Sequence, residues 1–528
     1  MEPPPGITRR RFVTLSALGV TGFALGACAS GGSAPATSPA APSEETTAGV
    51  GSGEVPESSA PPEPTSGAFP QPRVLSSSNG LLEVDLVAGA SSIPWEDGGR
   101  WAYTYNGSTP GPTLRIRPGD RLVIRLRNEL DADTNLHTHG LFVSPSGNSD
   151  NIFLSVAPGE TQVYEYEIPV GHRSGLFWYH PHRHGTVADQ VAAGLAGAII
   201  VEDDLDQLDA MADSTERVWI LSDPPIAASE AGLEVGPMER VMGREGPLPL
   251  VNGTANPIVE AAAGTRERWR VVNASSSRYY RFAVEGHDLA VLATDGGRLA
   301  RPMLRDSVLL APGERVEVMV TPDSAGDFGV MSLGHDRVSG PMGEGGMMGR
   351  GMGDGMMSGA TGSSEELVLA TMRVVGEAPT ATLPNELAGS DDLALPAPTA
   401  SRTLELGMGL GMRARMSGGG MMSFTIDGRE FDGFRTDVSS SLGEVEDWTI
   451  VNSTGMDHPF HLHVWNFQVI EGSEWSGQPA WKDTVNVPAG GRVTFRVPIS
   501  GIDGRTVYHC HILDHEDLGM MGVIEVER

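Results

Sequence analysis

From about residue 74 onward, apolar and polar residues alternate along short stretches of the chain. Clear examples are residues 121–127 (RLVIRLR), 315–320 (RVEVMV) and 492–497 (RVTFRV), each just after a glycine. A period of two places the apolar side chains on one face, which is typical of a half-buried β-strand. Convincing amphipathic helices are scarce, so the pattern predicts an all-β protein.

The chain also contains an internal repeat. At three places an alternating strand lies between a glycine and an asparagine nine residues later: Gly119 and Asn128, Gly264 and Asn273, and Gly443 and Asn452. The last two strands match further, as WRVVN and WTIVN. We interpret the repeat as three copies of one β-domain, over residues 74–205, 206–378 and 379–528. A chain of 528 residues has room for about three domains of ordinary size.

The N-terminus is similar to a targeting sequence. Residues 8–14 read TRRRFVT, and the apolar run 15–27 ends at Cys28 as LGAC. This resembles a twin-arginine export signal with a lipoprotein cleavage box, and the run is too short to remain as a membrane-spanning helix. We expect removal of residues 1–27, lipidation of Cys28 and anchoring at the outer face of the cytoplasmic membrane. The alternative is an unlipidated signal that contains a chance cysteine.

Composition separates a linker from the folded body. Residues 28–73 are rich in Ser, Pro, Ala, Gly, Thr and Glu, which predicts a disordered tether. The net charge of −31 argues against nucleic acid as a partner. Cys28 and Cys510 are the two cysteines of the sequence, so lipidation of Cys28 would leave Cys510 as a lone thiol. A lone thiol in an exported protein points to chemistry rather than to a disulfide.

Eight of the 14 histidines form four His-x-His pairs: His137/His139, His180/His182, His461/His463 and His509/His511. Residues i and i+2 of a strand point to the same face, so each pair presents two imidazoles side by side. A lone histidine is usually structural, but that interpretation does not explain four pairs. Imidazoles together with a thiolate suit copper better than zinc, which usually keeps four ligands.

Residues 509–520 (HCHILDHEDLGM) join two kinds of ligand. On a strand, Cys510 faces away from His509 and His511, so it can bind one copper ion while its neighbours reach others. A thiolate, two imidazoles and a weak thioether form a blue-copper electron-transfer centre. Cys510, His515 and Met520 would supply three of these ligands, and His458 is the natural fourth.

These residues closely resemble the multicopper oxidase family. The motifs are HTHG at 137–140, WYHPH at 178–182, HPFHLH at 458–463 and the 509–520 run. The resemblance covers roughly residues 74–528. It implies three consecutive cupredoxin-like Greek-key domains, four copper ions, and substrate oxidation coupled to reduction of O2 to water. Because no histidine pair follows Asn273, we expect the middle domain to be a spacer.

The family pattern assigns each ligand to a type of copper ion. It implies type 1 copper at His458, Cys510 and His515 with Met520 axial, type 2 copper at His137 and His461, and two type 3 ions, one at His139, His180 and His511 and the other at His182, His463 and His509. His172, His184, His287 and His335 are interpreted as surface residues or as residues behind the ligands.

Reduction of O2 consumes protons, so the family places acidic residues near the copper ions. Glu516 directly follows a ligand at a position where the family has an acid. Asp150 lies where relatives place an acid beside the type 2 copper, although an insertion at 144–148 blurs that alignment. The alternative for both is a solvated surface carboxylate.

Eleven of the 22 methionines lie in two Gly-rich segments: Met342, Met347, Met348, Met352, Met356 and Met357 in the first, and Met408, Met412, Met416, Met421 and Met422 in the second. Soft thioethers select Cu(I), and bacterial cuprous oxidases of this family carry similar inserts near the type 1 copper. The alternative is a disordered Gly–Met loop. We expect Met456 and Asp457 to line the electron entry. Thr454 stands where relatives with a defined Cu(I) site have an acid, and Asp457 is a possible substitute.

Three functions follow from the resemblance. The first is a cuprous oxidase that confers copper tolerance at the cell envelope. The second is a laccase-like oxidase of phenols, bilirubin-type compounds or Mn(II). The third is a copper-binding relative without turnover, against which the complete set of ten histidines and Cys510 argues.

Overall fold

The computed structural model describes residues 69–95, 98–202, 211, 213–226, 235–338, 365–387, 394–410 and 422–528. They belong to one compact unit within Pro61–Arg528. The predicted export signal, Cys28 and the tether up to residue 68 lie outside the described residues. No helix within the described ranges is long and apolar enough to cross a membrane.

The described residues form strands almost throughout, in three successive groups. The first domain contains β1 Val74–Ser76, β2 Leu81–Trp95, β3 Gly98–Tyr105, β4 Thr113–Ile116, β5 Arg121–Asn128, β6 His137–His139, β7 Thr161–Glu167, β8 Gly175–His180, helix α1 Val187–Ala193 and β9 Gly197–Val201. These strands build one sheet in the order β1-β4-β9-β8-β6 and a second in the order β3-β2-β5-β7.

The middle domain repeats the two-sheet plan. It contains β10 Ser214–Ser222, helix α2 Pro237–Met242, β11 Leu250–Val251, β12 Ile258–Ala262, β13 Arg266–Asn273, β14 Tyr280–Val284, β15 Leu289–Thr294, β16 Gly297–Arg305, β17 Ser307–Leu310, β18 Arg315–Val320, β19 Gly326–Leu333 and β20 Leu367–Val375. The sheet orders are β11-β10-β13-β18-β15-β16 and β12-β20-β19-β14-β17.

The third domain contains β21 Ala400–Leu410, β22 Met422–Ile426, β23 Val438–Ser441, β24 Val445–Asn452, β25 His458–Leu462, β26 Gln468–Glu471, β27 Thr484–Val487, β28 Arg492–Pro498, β29 Gly504–Cys510, helix α3 Leu513–Asp517 and β30 Met521–Glu527. Its sheets follow the orders β22-β21-β24-β28-β26 and β23-β30-β29-β25-β27. The all-β prediction is confirmed.

The sequence repeat corresponds to a repeated structure. The strand between the glycine and the asparagine (β5, β13 or β24) pairs in parallel with β2, β10 or β21, and antiparallel with β7, β18 or β28. Gly119, Gly264 and Gly443 all have positive φ angles, of 90°, 78° and 98°, which glycine adopts without steric cost.

The asparagine at the end of each repeat closes the following loop in the same way. The side chains of Asn128, Asn273 and Asn452 each accept from the amide two residues later and donate to carbonyl groups of the same domain, two for Asn128 and Asn273 and three for Asn452. All three are buried. The asparagines are thus fixed by backbone groups that only a folded copy of the domain brings together.

The prediction of a half-buried strand at residues 315–320 is wrong. Every residue of β18 is buried, including Arg315 and Glu317 on its polar face. The cause is charge pairing inside the protein: Glu317 pairs with Arg268 at 2.8 Å, and Arg315 pairs with Asp483 at 2.6 Å. The polar residues that alternate with apolar ones in β18 therefore form buried ion pairs with other strands and loops and do not face solvent.

Candidate metal centre

The four His-x-His pairs converge from two domains. In the first domain β6 pairs with β8, which sets His137 opposite His180. In the third domain β25 pairs with β29, which sets His461 opposite His509. All eight imidazoles are at most 1% exposed. We call His137, His139, His180, His182, His461, His463, His509 and His511 the eight-histidine cluster.

Nitrogen atoms of this cluster approach each other both within the third domain and across its boundary with the first domain. Nε2 of His182 and Nε2 of His463 lie 3.1 and 3.2 Å from Nε2 of His509. Nδ1 of His139 lies 3.3 Å from Nε2 of His511. Ligands that share one metal ion at about 2.0–2.1 Å show separations of this size. The first and third domains therefore build the centre jointly.

Hydrogen bonds fix the tautomer of three imidazoles in the cluster. Nδ1 of His137 contacts the Asp150 carboxylate at 2.9 Å, and Nδ1 of His180 contacts the carbonyl oxygen of Pro181 at 2.8 Å. Nδ1 of His461 contacts the carbonyl oxygen of Asp483 at 2.9 Å. Each of these oxygens accepts, so Nδ1 carries the hydrogen and Nε2 carries the lone pair.

Those lone pairs fit a bound metal ion. Nε2 of His137, His180 and His461 is buried and has no hydrogen-bond partner among the described residues. Burial lowers the pKa of all three imidazoles, which keeps them neutral. A buried acceptor without a donor is costly, and a neutral imidazole is the form that binds metal. The donor set is that of a copper or similar transition-metal centre.

A second set of donors lies next to the first; we call His458, Cys510 and His515 the thiol cluster. Sγ of Cys510 lies 3.4 Å from Nδ1 of His458 and 3.9 Å from Nδ1 of His515, and the two Nδ1 atoms are 3.2 Å apart. All three side chains are fully buried. Met520 is also fully buried, and its carbonyl oxygen accepts from the Cys510 amide at 3.0 Å.

The far nitrogen of each imidazole in the thiol cluster is anchored. Nε2 of His458 donates to the Thr454 hydroxyl at 2.8 Å, and Nε2 of His515 donates to the Val241 carbonyl at 3.0 Å. Both Nδ1 lone pairs therefore face the sulfur. Burial lowers the pKa of His458 to about 3 and raises the pKa of the Cys510 thiol. A bound cation at this point would hold the sulfur as the thiolate.

Strand β29 joins the two clusters directly. Cys510 belongs to the thiol cluster, while His509 and His511 on either side belong to the eight-histidine cluster. Nδ1 of His509 also lies 3.0 Å from the Cys510 carbonyl oxygen. A continuous covalent path of three residues thus connects a single-metal site with a site that has room for several ions.

Three stretches of the chain match family models described as multicopper oxidase: residues 89–206, 229–343 and 408–528. The chain belongs to the multicopper oxidase family. It is therefore a copper-dependent oxidoreductase that uses O2 as the electron acceptor, and its three domains are cupredoxin-like. The family predicted from the motifs is confirmed.

Individual multicopper oxidases align over most of their length. The multicopper oxidase mco of Staphylococcus haemolyticus is 28% identical over 80% of this chain and 83% of its own. The laccase of Bacillus subtilis is 25% identical over 80% and 90%. The solved structure of a Campylobacter jejuni multicopper oxidase, titled a metallo-oxidase, superposes with a TM-score of 0.71 at 29% identity, covering 88% of this chain and 98% of that one.

The two predicted acidic residues both lie against the eight-histidine cluster. Asp150 holds Nδ1 of His137 and accepts from the Thr138 amide at 2.8 Å. Burial raises the pKa of Asp150 to about 7. Glu516 lies with Oε2 3.1 Å from Nδ1 of His509 and Oε1 3.5 Å from Nδ1 of His182. The alternative of solvated surface carboxylates is wrong, because both side chains are buried.

The predicted electron-entry residues flank the thiol cluster. Met456 is 2% exposed and immediately precedes Asp457, whose Oδ2 contacts Nε2 of His335 at 3.1 Å and Nδ2 of Asn486 at 2.8 Å. His335 in turn stacks on Tyr279 with ring centroids 5.2 Å apart. His335 thus belongs to the group behind the ligands, as expected.

The other three histidines that were not assigned as copper ligands each contact a phenylalanine residue. His172 is buried and its Nε2 accepts from the Phe142 amide at 2.9 Å. His184 lies against Phe431, and His287 lies against Phe328. None of the three belongs to a metal-competent group among the described residues.

Nine of the eleven methionines in the two Gly-rich segments lie outside the described residues: Met342, Met347, Met348, Met352, Met356, Met357, Met412, Met416 and Met421. Met408 and Met422 are described and belong to β21 and β22. Leu410 pairs with Met422 and Met408 pairs with Phe424, so the second segment starts and ends inside an antiparallel strand pair.

The middle domain contributes contacts to the metal centre that the sequence did not predict, so it is more than the expected spacer. The Val241 carbonyl holds His515, and Arg244 forms a bidentate pair with Asp514 in α3, at 2.6 Å for the shortest contact. Asp483 and Arg315, next to His139 and His461, were missed as well. The available sequence signal for such groups is a charged residue that alternates with apolar residues in a predicted strand, as Arg315 does.

Proposed function

We propose that this multicopper oxidase oxidises Cu(I) to Cu(II) and delivers the electrons to O2, which is reduced to two water molecules. The thiol cluster with Met520 holds type 1 copper, and the eight-histidine cluster holds a type 2 ion and two type 3 ions. Copper at these sites supplies the one-electron steps and the four-electron reduction of O2. Four Cu(I) ions and four protons are consumed for each O2.

The described residues at the ends of the Met-rich segments, together with the methionine content of these segments, support the choice of Cu(I) as substrate. Val338 is the last described residue before the first segment, and its backbone pairs with Met456, two residues from His458. The Asp457 amide also donates to the Arg337 carbonyl at 2.7 Å. The first segment therefore leaves the described structure beside the thiol cluster.

The second Met-rich segment rejoins the described structure at the same place. Met422, the last methionine of this segment, is the first described residue after 411–421, and Phe424 follows two residues later. The Phe424 ring stacks on the His515 imidazole with centroids 3.9 Å apart and planes 16° apart. Thioethers select Cu(I), so donors on both segments can present the soft ion at the point of electron entry.

Within the protein, β29 connects the electron donor and acceptor sites. The chain from Cys510 to His509 and His511 is covalent, and the His509 contact with the Cys510 carbonyl gives a second, shorter route. Phe424 and the surrounding buried side chains exclude water from the thiol cluster. A dry, fixed site limits reorganisation when the charge changes.

Two carboxylates are placed to deliver protons for the reduction of O2. Glu516 faces His182 and His509, and Asp150 faces His137, so each lies one imidazole away from the interior of the cluster. In this proposal Glu516 and Asp150 each hold and release a proton at a carboxylate oxygen.

We also propose an envelope location. The twin-arginine motif at residues 8–14 and the LGAC sequence ending at Cys28 support export, lipidation and attachment to the outer face of the cytoplasmic membrane. Removal of Cu(I) at that surface would confer copper tolerance. A Cys28→Ala variant released into the soluble fraction supports this anchor, and one that stays membrane-bound contradicts it.

A laccase-like oxidase is the second candidate. The observation that favours it is the alignment with the Bacillus subtilis laccase over 90% of that protein. Mn(II) is a further substrate of the same reaction type. The complete ligand set and the classification as an oxidoreductase argue against the non-catalytic copper-binding relative.

The experiment that separates the two candidates changes methionine to leucine at five positions of the first segment: 347, 348, 352, 356 and 357. Oxygen uptake by the copper-loaded full chain is then measured with Cu(I) and with a phenol. We expect uptake with Cu(I) to fall and uptake with the phenol to persist. Met303→Leu, in β16, is the control for loss of a thioether elsewhere. Unchanged uptake with Cu(I) in the five-residue variant contradicts the proposal.

A further inference from the structure

Arg315 of the middle domain is a buried side chain that contacts all three domains. Its Nε atom donates to the Leu176 carbonyl of the first domain at 3.2 Å. Its terminal nitrogens donate to Oδ1 and Oδ2 of Asp483 in the third domain at 2.7 and 2.6 Å. The same nitrogens also reach the carbonyl oxygens of Gly313 and Asp295. The guanidinium is fully occupied, and its geometry is fixed by three separate parts of the chain.

The carboxylate held by Arg315 lies against one of the ligand histidines. Oδ1 of Asp483 is 3.1 Å from Nε2 of His139, and it also accepts from the Thr484 hydroxyl at 2.9 Å. Both oxygens of Asp483 accept from the Arg315 guanidinium, which is always charged, so the carboxyl group is ionised. An ionised carboxylate can only accept, so Nε2 of His139 carries the hydrogen.

This tautomer is the reverse of the one found at three other ligands. His137, His180 and His461 have an acceptor at Nδ1 and a free Nε2. His139 has an acceptor at Nε2, and its Nδ1 faces Nε2 of His511 at 3.3 Å. The orientation of His139 in the centre therefore depends on a group outside the ligand set.

The turn that carries Arg315 also packs on His511. Gly313 has a φ angle of +84°, and a Cβ atom there would lie 2.7 Å from Cδ2 and 2.8 Å from Nε2 of that imidazole. No side chain fits in that space. One turn of the middle domain thus touches His511 directly and reaches His139 through Asp483, and these two ligands face each other.

We propose that Arg315 and Asp483 are positioning residues for the oxygen-reducing centre, which bind no copper themselves and set His139 to bind through Nδ1. The proposal rests on the ligand assignment given under the proposed function. Asp483 lies within ligand distance of His139 and His461, but both of its oxygens are engaged by Arg315. The middle domain then contributes to the chemistry without supplying a ligand.

The test compares three copper-loaded full-length proteins: the wild type, the Asp483→Asn variant and a matched control variant. Glu317→Gln removes the same kind of charge from another buried ion pair, Glu317 with Arg268 at 2.8 Å, away from the histidines. Copper content per chain, the blue absorption of the thiol cluster and the near-ultraviolet absorption of the coupled copper pair are measured, together with the melting temperature.

We expect Asp483→Asn to weaken copper binding at the eight-histidine cluster by about 10–100-fold, as loss of a group behind a metal ligand does, and to reduce the near-ultraviolet absorption. The blue absorption should persist, which also shows that the variant has folded. Glu317→Gln should lower the melting temperature and leave both absorptions unchanged.

Full copper content and unchanged near-ultraviolet absorption in Asp483→Asn overturn the proposal. If that variant does not fold, Arg315→Lys decides, because lysine keeps the charge but cannot hold both carboxylate oxygens. In that case, wild-type copper content and wild-type near-ultraviolet absorption in the Arg315→Lys variant would overturn the proposal. A wild-type protein without the blue absorption contradicts the proposed function instead, so the two failures are distinguishable.

Discussion

The Sγ atom of Cys510 lies 3.4 Å from Nδ1 of His458, on the opposite side of β29 from the eight-histidine cluster. Both side chains are fully buried. Two residues that are 52 positions apart thus form one metal-competent pair, and the neighbours of Cys510 in the chain form part of another site. With the proposed function, this arrangement places electron entry and oxygen reduction one residue apart.

The first prediction concerns the colour of the copper-loaded protein. Cys510→Ser should abolish the intense blue absorption, because a hydroxyl cannot replace the thiolate of a type 1 centre. Val507→Ala, a buried change in the same strand, is the control for general loss of packing and should keep the colour. A blue Cys510→Ser protein would show that the type 1 copper is bound elsewhere.

The second prediction uses the repeated asparagines as a matched pair. Asn452→Ala removes the acceptor for the Thr454 amide and hydroxyl and the donors to the Met456, Val487 and Pro488 carbonyls, in the loop that leads to His458. Loss of buried hydrogen bonds should cost about 2 kcal/mol or more, and the melting temperature should fall. The loop also orients His458, so the blue absorption should shift or weaken.

Asn273→Ala removes the three corresponding hydrogen bonds from the middle domain, where the described residues form no group that could hold a metal ion. Asn273→Ala should lower the melting temperature by a smaller amount, because it loses fewer hydrogen bonds, and should leave the blue absorption unchanged. Equal spectra for the two variants contradict the role assigned to the loop after Asn452.

The third prediction concerns acid stability at the boundary of the first and middle domains. Glu216 pairs with Arg115 at 2.6 Å and with Arg270 at 2.8 Å. Burial by itself would raise the pKa of Glu216, but Arg270 and Arg115 outweigh burial and lower the pKa from 4.5 to about 2. The carboxylate therefore stabilises the folded protein above pH 4.5, and this contribution is lost as the pH falls toward 2.

Glu216→Gln should lower stability by about 3 kcal/mol near neutral pH. The gap in melting temperature between this variant and the wild type should narrow as the pH falls from 4.5 toward 2. Asp327→Asn, from an exposed pair with Arg373, is the control and should change the melting temperature little at any pH. A gap for Glu216→Gln that is constant across this range contradicts the account.

Local patterns predicted the repeat and the ligand candidates. The nine-residue spacing from Gly119 to Asn128 reflects one strand with a turn before it and a corner after it, and both are local. The His-x-His pairs follow from strand geometry, and Cys510 was assigned to the opposite face for the same reason. These features depend on residues close together in the chain.

Groups that act through tertiary contact could not be predicted in this way. Arg315 was interpreted as the polar face of a half-buried strand, although it is buried against Asp483, 168 residues away. The position of Asp150 was blurred by the insertion at 144–148, and the fold places its carboxylate on His137. The packing of three domains brings Arg315 and Asp483 to the histidines, and the fold of the first domain brings Asp150 to His137.

Oxygen uptake by the copper-loaded full chain, compared between Cu(I) and a phenol at equal concentrations, tests the central claim most directly. The Cys510→Ser protein supplies the background from uncatalysed oxidation of Cu(I). We predict uptake above that background with Cu(I), at one O2 for each four Cu(I) ions, and faster than with the phenol. Uptake with the phenol and none above background with Cu(I) would contradict the account and favour the laccase-like oxidase.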